Sequence, residues 1–390
     1  MTLRKGPPPK GQSGILYALL LAIFCYLLSK SLNLSSNPHL ESCTYPEAQC
    51  DKLWGLPATQ CRLNAAASAD KVDCMKHHLF SLSRWRVNYE EALCSALRQG
   101  SAKSTEFLLE AGANLQEARA SGSCDPLASA ASSGNGELFF RILHSGITLP
   151  ANGTALLESA IAGGNASIVE GILMGYMNRR ERFQFDGLAR AAAKSGNVEI
   201  MKLLKQYNIS INVSCGDDIF SAPIAIAMMN HRTDMVNYLL KEVPHVATTT
   251  DDSGRTLLHV AAQGLNEYVV PLVDSGVSIS QANDLGLRPV HVACRDGGKE
   301  TLQALIAAMN PDEIQENLNA RTSGVGCTPL HFAVMAESLD TVNVLLENGA
   351  DPSIINYDAK LPIDIAKMKN YREILKTLED YATSSNNSAK

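Results

Sequence analysis

Three stretches decide the fold: Thr256–Ala262 (TLLHVAA), Arg288–Cys294 (RPVHVAC) and Thr328–Val334 (TPLHFAV). Each sets an alanine two residues after a histidine, and about ten residues later comes a run of paired aliphatics, usually closed by glycine. The clearest such run is Val344–Asp351 (VLLENGAD). The alanine serves as a ruler along the whole chain. It stands at Ala96, Ala130, Ala160, Ala192, Ala227, Ala261, Ala293, Ala333 and Ala366, in steps of 34, 30, 32, 35, 34, 32, 40 and 33 residues. A small residue at that position lets neighbouring helices approach closely, and the aliphatic pairs on a second helix seal the stack. A unit of this size cannot bury its apolar faces alone, so its stability comes from its neighbours.

The pattern resembles the ankyrin repeat, with its T-P-L-H-x-A-A signature, its V-V-x-L-L-L stretch and its G-A-D close. The resemblance implies an all-α fold, a solenoid of stacked helix-turn-helix units, here about nine of them over residues 91–381. Gly112, Gly146, Gly276 and Gly349 fall where a left-handed residue ends the second helix without Cβ strain. Asn114 and Asp351 then open the loop. The last unit departs from the pattern with Asp364, Lys367, Lys369 and Lys376, which suits a cap facing water. The Ser/Asn-rich tail, residues 382–390, reads as disordered.

Composition agrees with a folded chain. The 390 residues include 45% hydrophobic and 19% charged types, with 34 Lys and Arg against 40 Asp and Glu for a net charge of −6. Mild acidity without a basic stripe argues against a nucleic-acid binder, which needs cations to displace phosphate counterions.

The N-terminus carries an address. Residues 1–14 form a flank with Arg4, Lys5 and Lys10 and no acid, followed by the apolar run Ile15–Leu28. Fourteen residues rise about 21 Å as a helix, less than the roughly 30 Å of a bilayer core. The segment 15–34 is expected to be a transmembrane signal-anchor, or else a cleaved secretory signal. Either reading leaves the N-terminus cytoplasmic and places the rest, bound to or released from the membrane, in the periplasm or extracellular space.

Residues 35–90 form a cysteine-rich connector with little periodicity. Cys43, Cys50, Cys61 and Cys74 have no zinc-knuckle spacing and read as two disulfides of open connectivity, while Cys94 and Cys124 are candidates for a third. Six N-x-S/T sequons occur, from Asn33 to Asn386.

Catalytic signatures are not found: there is neither a G-x-S-x-G elbow nor an H-E-x-x-H pair. His259, His291 and His331 share one repeat position, and the resemblance implies a structural hydrogen-bonding role for them. Cys294 occupies a small-residue position and reads as a buried hydrophobe. No enzyme, cofactor or metal site is therefore expected. The resemblance implies instead a non-enzymatic scaffold that binds another protein through a concave face. The candidate contacts are Gln263, Arg295, Asp296, Met335 and Ala336 on the first helices, and Asp252, Asp284, Leu285, Tyr357 and Asp358 at the loop tips. Tyr357 carries the most weight, because exposed aromatics dominate interfaces. The 40-residue step implies an inserted loop within Met309–Cys327, a second candidate contact. Two alternatives stand beside the scaffold: an inhibitor or immunity-type protein, and a hydrolase built around His77 and His78 of the connector.

Overall fold

A computed structural model describes residues 56–81, 88–177, 187–211, 218–243, 245 and 249–388. Every regular element among them is helical. The chain divides into two compact units, Met1–Pro126 and Leu127–Lys390.

In the first unit α1 (Leu56–Ser68) and α2 (Val72–Ser81) lie beside α3 (Tyr89–Gln99) and α4 (Ala102–Glu110), and α5 (Leu115–Ala120) closes the unit against α3. The connector is thus not irregular throughout. Its α1–α2 pair is laid on the next pair with the same kind of register that later repeats use. The Ser101 hydroxyl donates to the Ser68 carbonyl at 2.8 Å, and the Ser104 N–H donates to the Asp70 carboxylate at 2.7 Å. Leu63, Ala66, Ala67 and Met75 are fully buried with Leu93, Ala96 and Leu97. The sequence hid this pair because it lacks both the histidine and the closing glycine. Asp70, with φ of 54°, takes the left-handed turn that Gly100 takes after α3.

A disulfide joins Cys94 to Cys124 across a Cα separation of 5.9 Å. Cys61 and Cys74 are disulfide-bonded as well, whereas Cys43 and Cys50 lie outside the described residues.

The second unit alternates first and second helices: α6 (Pro126–Ser132) with α7 (Gly136–His144), α8 (Thr154–Gly163) with α9 (Ala166–Met177), α10 (Leu188–Ser195) with α11 (Val198–Gln206), and α12 (Pro223–Met229) with α13 (Thr233–Glu242). Then come α14 (Leu257–Ala261) with α15 (Val269–Asp274), and α16 (Pro289–Val292) with α17 (Gly298–Ala307). After the extra helix α18 (Pro311–Leu318) follow α19 (Pro329–Met335) with α20 (Leu339–Glu347), and α21 (Pro362–Lys369) with α22 (Arg372–Ser388). From α8 onward first helices stack on first helices, and second helices largely on second helices. Proline opens α12, α16, α19 and α21, where its missing N–H costs nothing.

All nine ruler alanines have no exposed surface. Gly297 shows how tight the stack is, since a Cβ there would sit 2.1 Å from the Ala262 carbonyl oxygen of the preceding first helix. Gly112, Gly146, Gly276 and Gly349 all have φ between 87° and 106°, as a left-handed helix stop requires.

Three expectations need correction. Among the described residues no helix is long and apolar enough to cross a membrane. The longest, α22, has 17 residues and carries Arg372, Glu373, Lys376, Glu379 and Asp380, whereas a span needs about 20 largely apolar ones. The expectation of a single-pass membrane protein with extracytoplasmic repeats is overturned on this finding; the run Ile15–Leu28 itself lies outside the described residues. The tail expected to be disordered continues α22 as far as Ser388, since neither glycine nor proline interrupts it. The insertion is not a loop but α18, opened by Pro311 and by Glu313, whose carboxylate accepts the Asn310 N–H at 2.9 Å. This helix braces both neighbours. Arg288 reaches Glu316 at 2.8 Å and the Asn317 side-chain oxygen at 3.1 Å, while Gln315 donates to the Asn348 carbonyl at 3.1 Å.

Candidate protein-binding face

The last four loop tips of the second unit share one device. Asp251, Asn283 and Asn356 each open a five-residue tip and accept, on one side-chain oxygen, the N–H groups two and four residues ahead at 2.9–3.0 Å. Thr322 does the same work with its hydroxyl, which takes the Cys327 N–H at 3.1 Å. Each tip closes on itself, with the Asp251 N–H bonding the Arg255 carbonyl, and likewise for 283 with 287, 322 with 327 and 356 with 360. Adjacent tips are then tied together. The Asp284 N–H donates to the Ser253 carbonyl, that of Ser323 to Leu285, and that of Tyr357 to Val325, each at 3.0 Å.

The repeated histidines lock these tips to the helices below. His259 Nδ1 accepts the Thr256 N–H at 3.1 Å, so Nε2 carries the proton and donates to the Leu287 carbonyl at 2.9 Å. His291 repeats this between Arg288 and Ala320, and His331 between Thr328 and Lys360. In α21 Asp364 takes the histidine's place and accepts the Leu361 N–H at 2.9 Å. Burial disfavours the imidazolium, which lowers all three histidines and brings His291 down to about 4. No group of His, Cys, Asp or Glu among the described residues could hold a metal ion. The side chains of His77 and His78 lie outside the described residues.

At the first of these tips the Asp251 side chain is 0% exposed and pairs with Arg255 at 2.8 Å. Burial works to raise this carboxyl, but N–H groups of Arg255, Ile219 and Ser253 together with the Arg255 guanidinium hold it below the usual range. Arg255 also pairs with Asp218 at 3.0 Å and lies over the Phe220 ring at 5.1 Å.

The ten residues named from the sequence are all exposed. The structure brings Gln263, Leu285 and Arg295 together around a recess of about 190 Å³ between the tips 251–255 and 283–287 and the helices α14 and α16. Phe220, Leu285, Leu287 and Val292 wall it, with Arg255, Gln263 and Arg295 around them. Asp252 and Asp284 occupy equivalent places on the two tips beside it, and Asp296 pairs with Arg295 at 2.7 Å. Met335 and Ala336, at the end of α19, lie outside that recess, as do Tyr357 and Asp358 on the last tip. The Arg321 guanidinium stacks over Tyr357 at 4.6 Å.

Phe220, Arg255, Val325 and Arg321 were not singled out from the sequence. Aligning the chain on the tips, which open with Asp251 and Asn283 five residues before Thr256 and Arg288 and with Thr322 six residues before Thr328, brings Arg255 and Val325 into view, whereas the helix alanine used as the ruler passes them by.

Comparison with known proteins agrees with this architecture. The family described as ankyrin repeats (3 copies) matches residues 188–283, 264–356 and 290–388, together just over half of the chain. A mitochondrial disaggregase of Bos taurus is 35% identical over 127 residues, 32% of this chain and 18% of that protein. The nuclear factor NF-kappa-B p105 subunit of Gallus gallus is 25% identical over 185 residues, 46% of this chain and 18% of its own. The tyrosine-protein kinase HTK16 of Hydra vulgaris is 31% identical over 130 residues, 33% and 16% respectively. The chain therefore spans less than a fifth of the length of these relatives, and the names of some denote enzymes with further parts. What they share with it is a non-catalytic protein-interaction fold, and the chain belongs to the ankyrin-repeat family.

Proposed function

We propose that this protein is a scaffold whose partner docks on the tips 251–255, 283–287, 322–327 and 356–360 and on the adjoining ends of α14, α16 and α19. One observation carries the reading. Leu285, Val325 and Tyr357 sit on three successive tips at 62%, 53% and 60% exposure, although those tips are held by a continuous set of backbone hydrogen bonds. Large apolar side chains displayed on a rigid frame lose little entropy when covered, which is what an interface anchor needs. The expected contacts remain Gln263, Arg295, Asp296, Met335, Ala336, Asp252, Asp284, Leu285, Tyr357 and Asp358.

The test is photocrosslinking in the cells that make the protein, with a benzophenone side chain placed at Leu285, at Tyr357, or at Met174 on the second helix α9. Adducts to a discrete protein from the first two positions and none from Met174 are expected. Adducts from Met174 alone, or from no position, would sink the assignment of this face.

A further inference from the structure

The recess beside Leu285 says what kind of segment it would accept. Its walls are apolar and its volume of about 190 Å³ suits one side chain, not a whole cofactor or a helix face. Charge around it is unequal. Both guanidiniums are already satisfied, Arg255 by Asp251 and Asp218 and Arg295 by Asp296. Asp284 stands between the lining residues Asn283 and Leu285, and Asp252 on the adjacent tip that contributes Arg255; both are exposed, and among the described residues neither forms an ion pair. An anionic ligand would find every cation at the opening occupied. A cationic one would find two open carboxylates.

We infer that the recess anchors a linear partner segment by one aliphatic or aromatic side chain flanked on either side by lysine or arginine, the flanks lying against Asp252 and Asp284. This rests on the tip-face reading above and narrows it to one anchor and one charge pattern. Like-signed flanks would be rejected by the open carboxylates, so the recess selects by charge as well as by fit. Attraction between exposed charges of this sort is screened by salt, and the affinity should fall as ionic strength rises.

A phage-displayed library of random linear peptides, selected against the full chain, tests the inference. The expected outcome is enrichment of peptides with a single Leu, Ile, Met or Phe bracketed by Lys or Arg. For the leading synthetic peptide, Kd should rise about tenfold in the double variant Asp252→Lys, Asp284→Lys and about fivefold in Leu285→Ser, with a change under about twofold in Tyr357→Ser. All these positions are exposed, and an unchanged thermal midpoint would show that each variant is folded. Enrichment of acidic peptides, no enrichment, or an affinity untouched by Leu285→Ser would overturn the inference. Loss of binding in Tyr357→Ser with none in Leu285→Ser would leave the tip face as a docking surface and remove the recess as its anchor. Binding indifferent to every one of these variants would remove the tip face too.

Discussion

Acidification should weaken this fold through a histidine that never meets solvent. His291 has no exposed surface, accepts the Arg288 N–H on Nδ1 and donates from Nε2 to the Ala320 carbonyl. A proton added at Nδ1 would point at a donor inside a dry core. Burial accordingly lowers this imidazole from 6.5 to about 4 in the folded chain. Between those values the unfolded chain binds a proton that the folded chain refuses, so stability falls as pH falls through that window, and the loss is complete below about 4. At roughly 1.4 kcal/mol per pH unit, the full loss is about 3 kcal/mol, and about 2 kcal/mol of it should have appeared by pH 5. His259 and His331 shift in the same direction and add to it.

The assay is urea unfolding followed by far-ultraviolet circular dichroism at about pH 7 and about pH 5, above the range where most carboxylates titrate. The comparison is with His291→Gln, whose amide can accept and donate but cannot ionise. The variant should be less stable at neutral pH yet lose about 2 kcal/mol less than the wild type on acidification. Parallel losses in the two proteins would refute the argument, because the pH dependence would then come from elsewhere.

Other outcomes follow from the same geometry. Gly297→Ala should destabilise the second unit by about 1–3 kcal/mol, since its Cβ would press on the Ala262 carbonyl, while Gly324→Ala, with nothing within 4 Å, should be neutral in thermal melts. Asp251→Asn should cost about 3 kcal/mol and expose the 251–255 tip to protease, because an amide nitrogen would face N–H donors and the Arg255 guanidinium would lose its buried partner. Breaking the Cys94–Cys124 link by Cys124→Ser should lower the stability of the first unit by about 3–4 kcal/mol for a closed loop of that length, checked by limited proteolysis with and without reductant.

Much of the second unit was legible because its physics is periodic. An alanine that must vanish between stacked helices, a proline or threonine that starts a helix and a glycine that ends one all recur at a fixed spacing, so Ala261, Ala293 and Ala333 announce themselves. The structural role of His259, His291 and His331 came from the resemblance to the ankyrin repeat, and their bonds to the Leu287, Ala320 and Lys360 carbonyls agree with it. The α1–α2 pair was not legible, because Asp70 does a glycine's work and no histidine marks the repeat. Nor was α18, whose length looked like a loop until its cap and its bonds to Arg288 and Asn348 were seen.

Sequence by itself determined the helical stack, since close packing restricts which residues can occupy each place in the period. It also picked out exposed positions on the tips, because a side chain that avoids the period is one the core does not need. Only the tertiary structure decided which of those positions act together. Gln263, Leu285 and Arg295 share a recess because the tie between the 253 and 284 tips sets their separation, while Arg255 of the first of those tips and Phe220, from the turn before α12, join them. The charge of that recess was likewise decided in three dimensions. Arg255 reads as a cation along the chain, and its electrostatic reach ends on Asp251 and Asp218, which folding places beside it, whereas the partner of Arg295, Asp296, already stands next to it in the sequence.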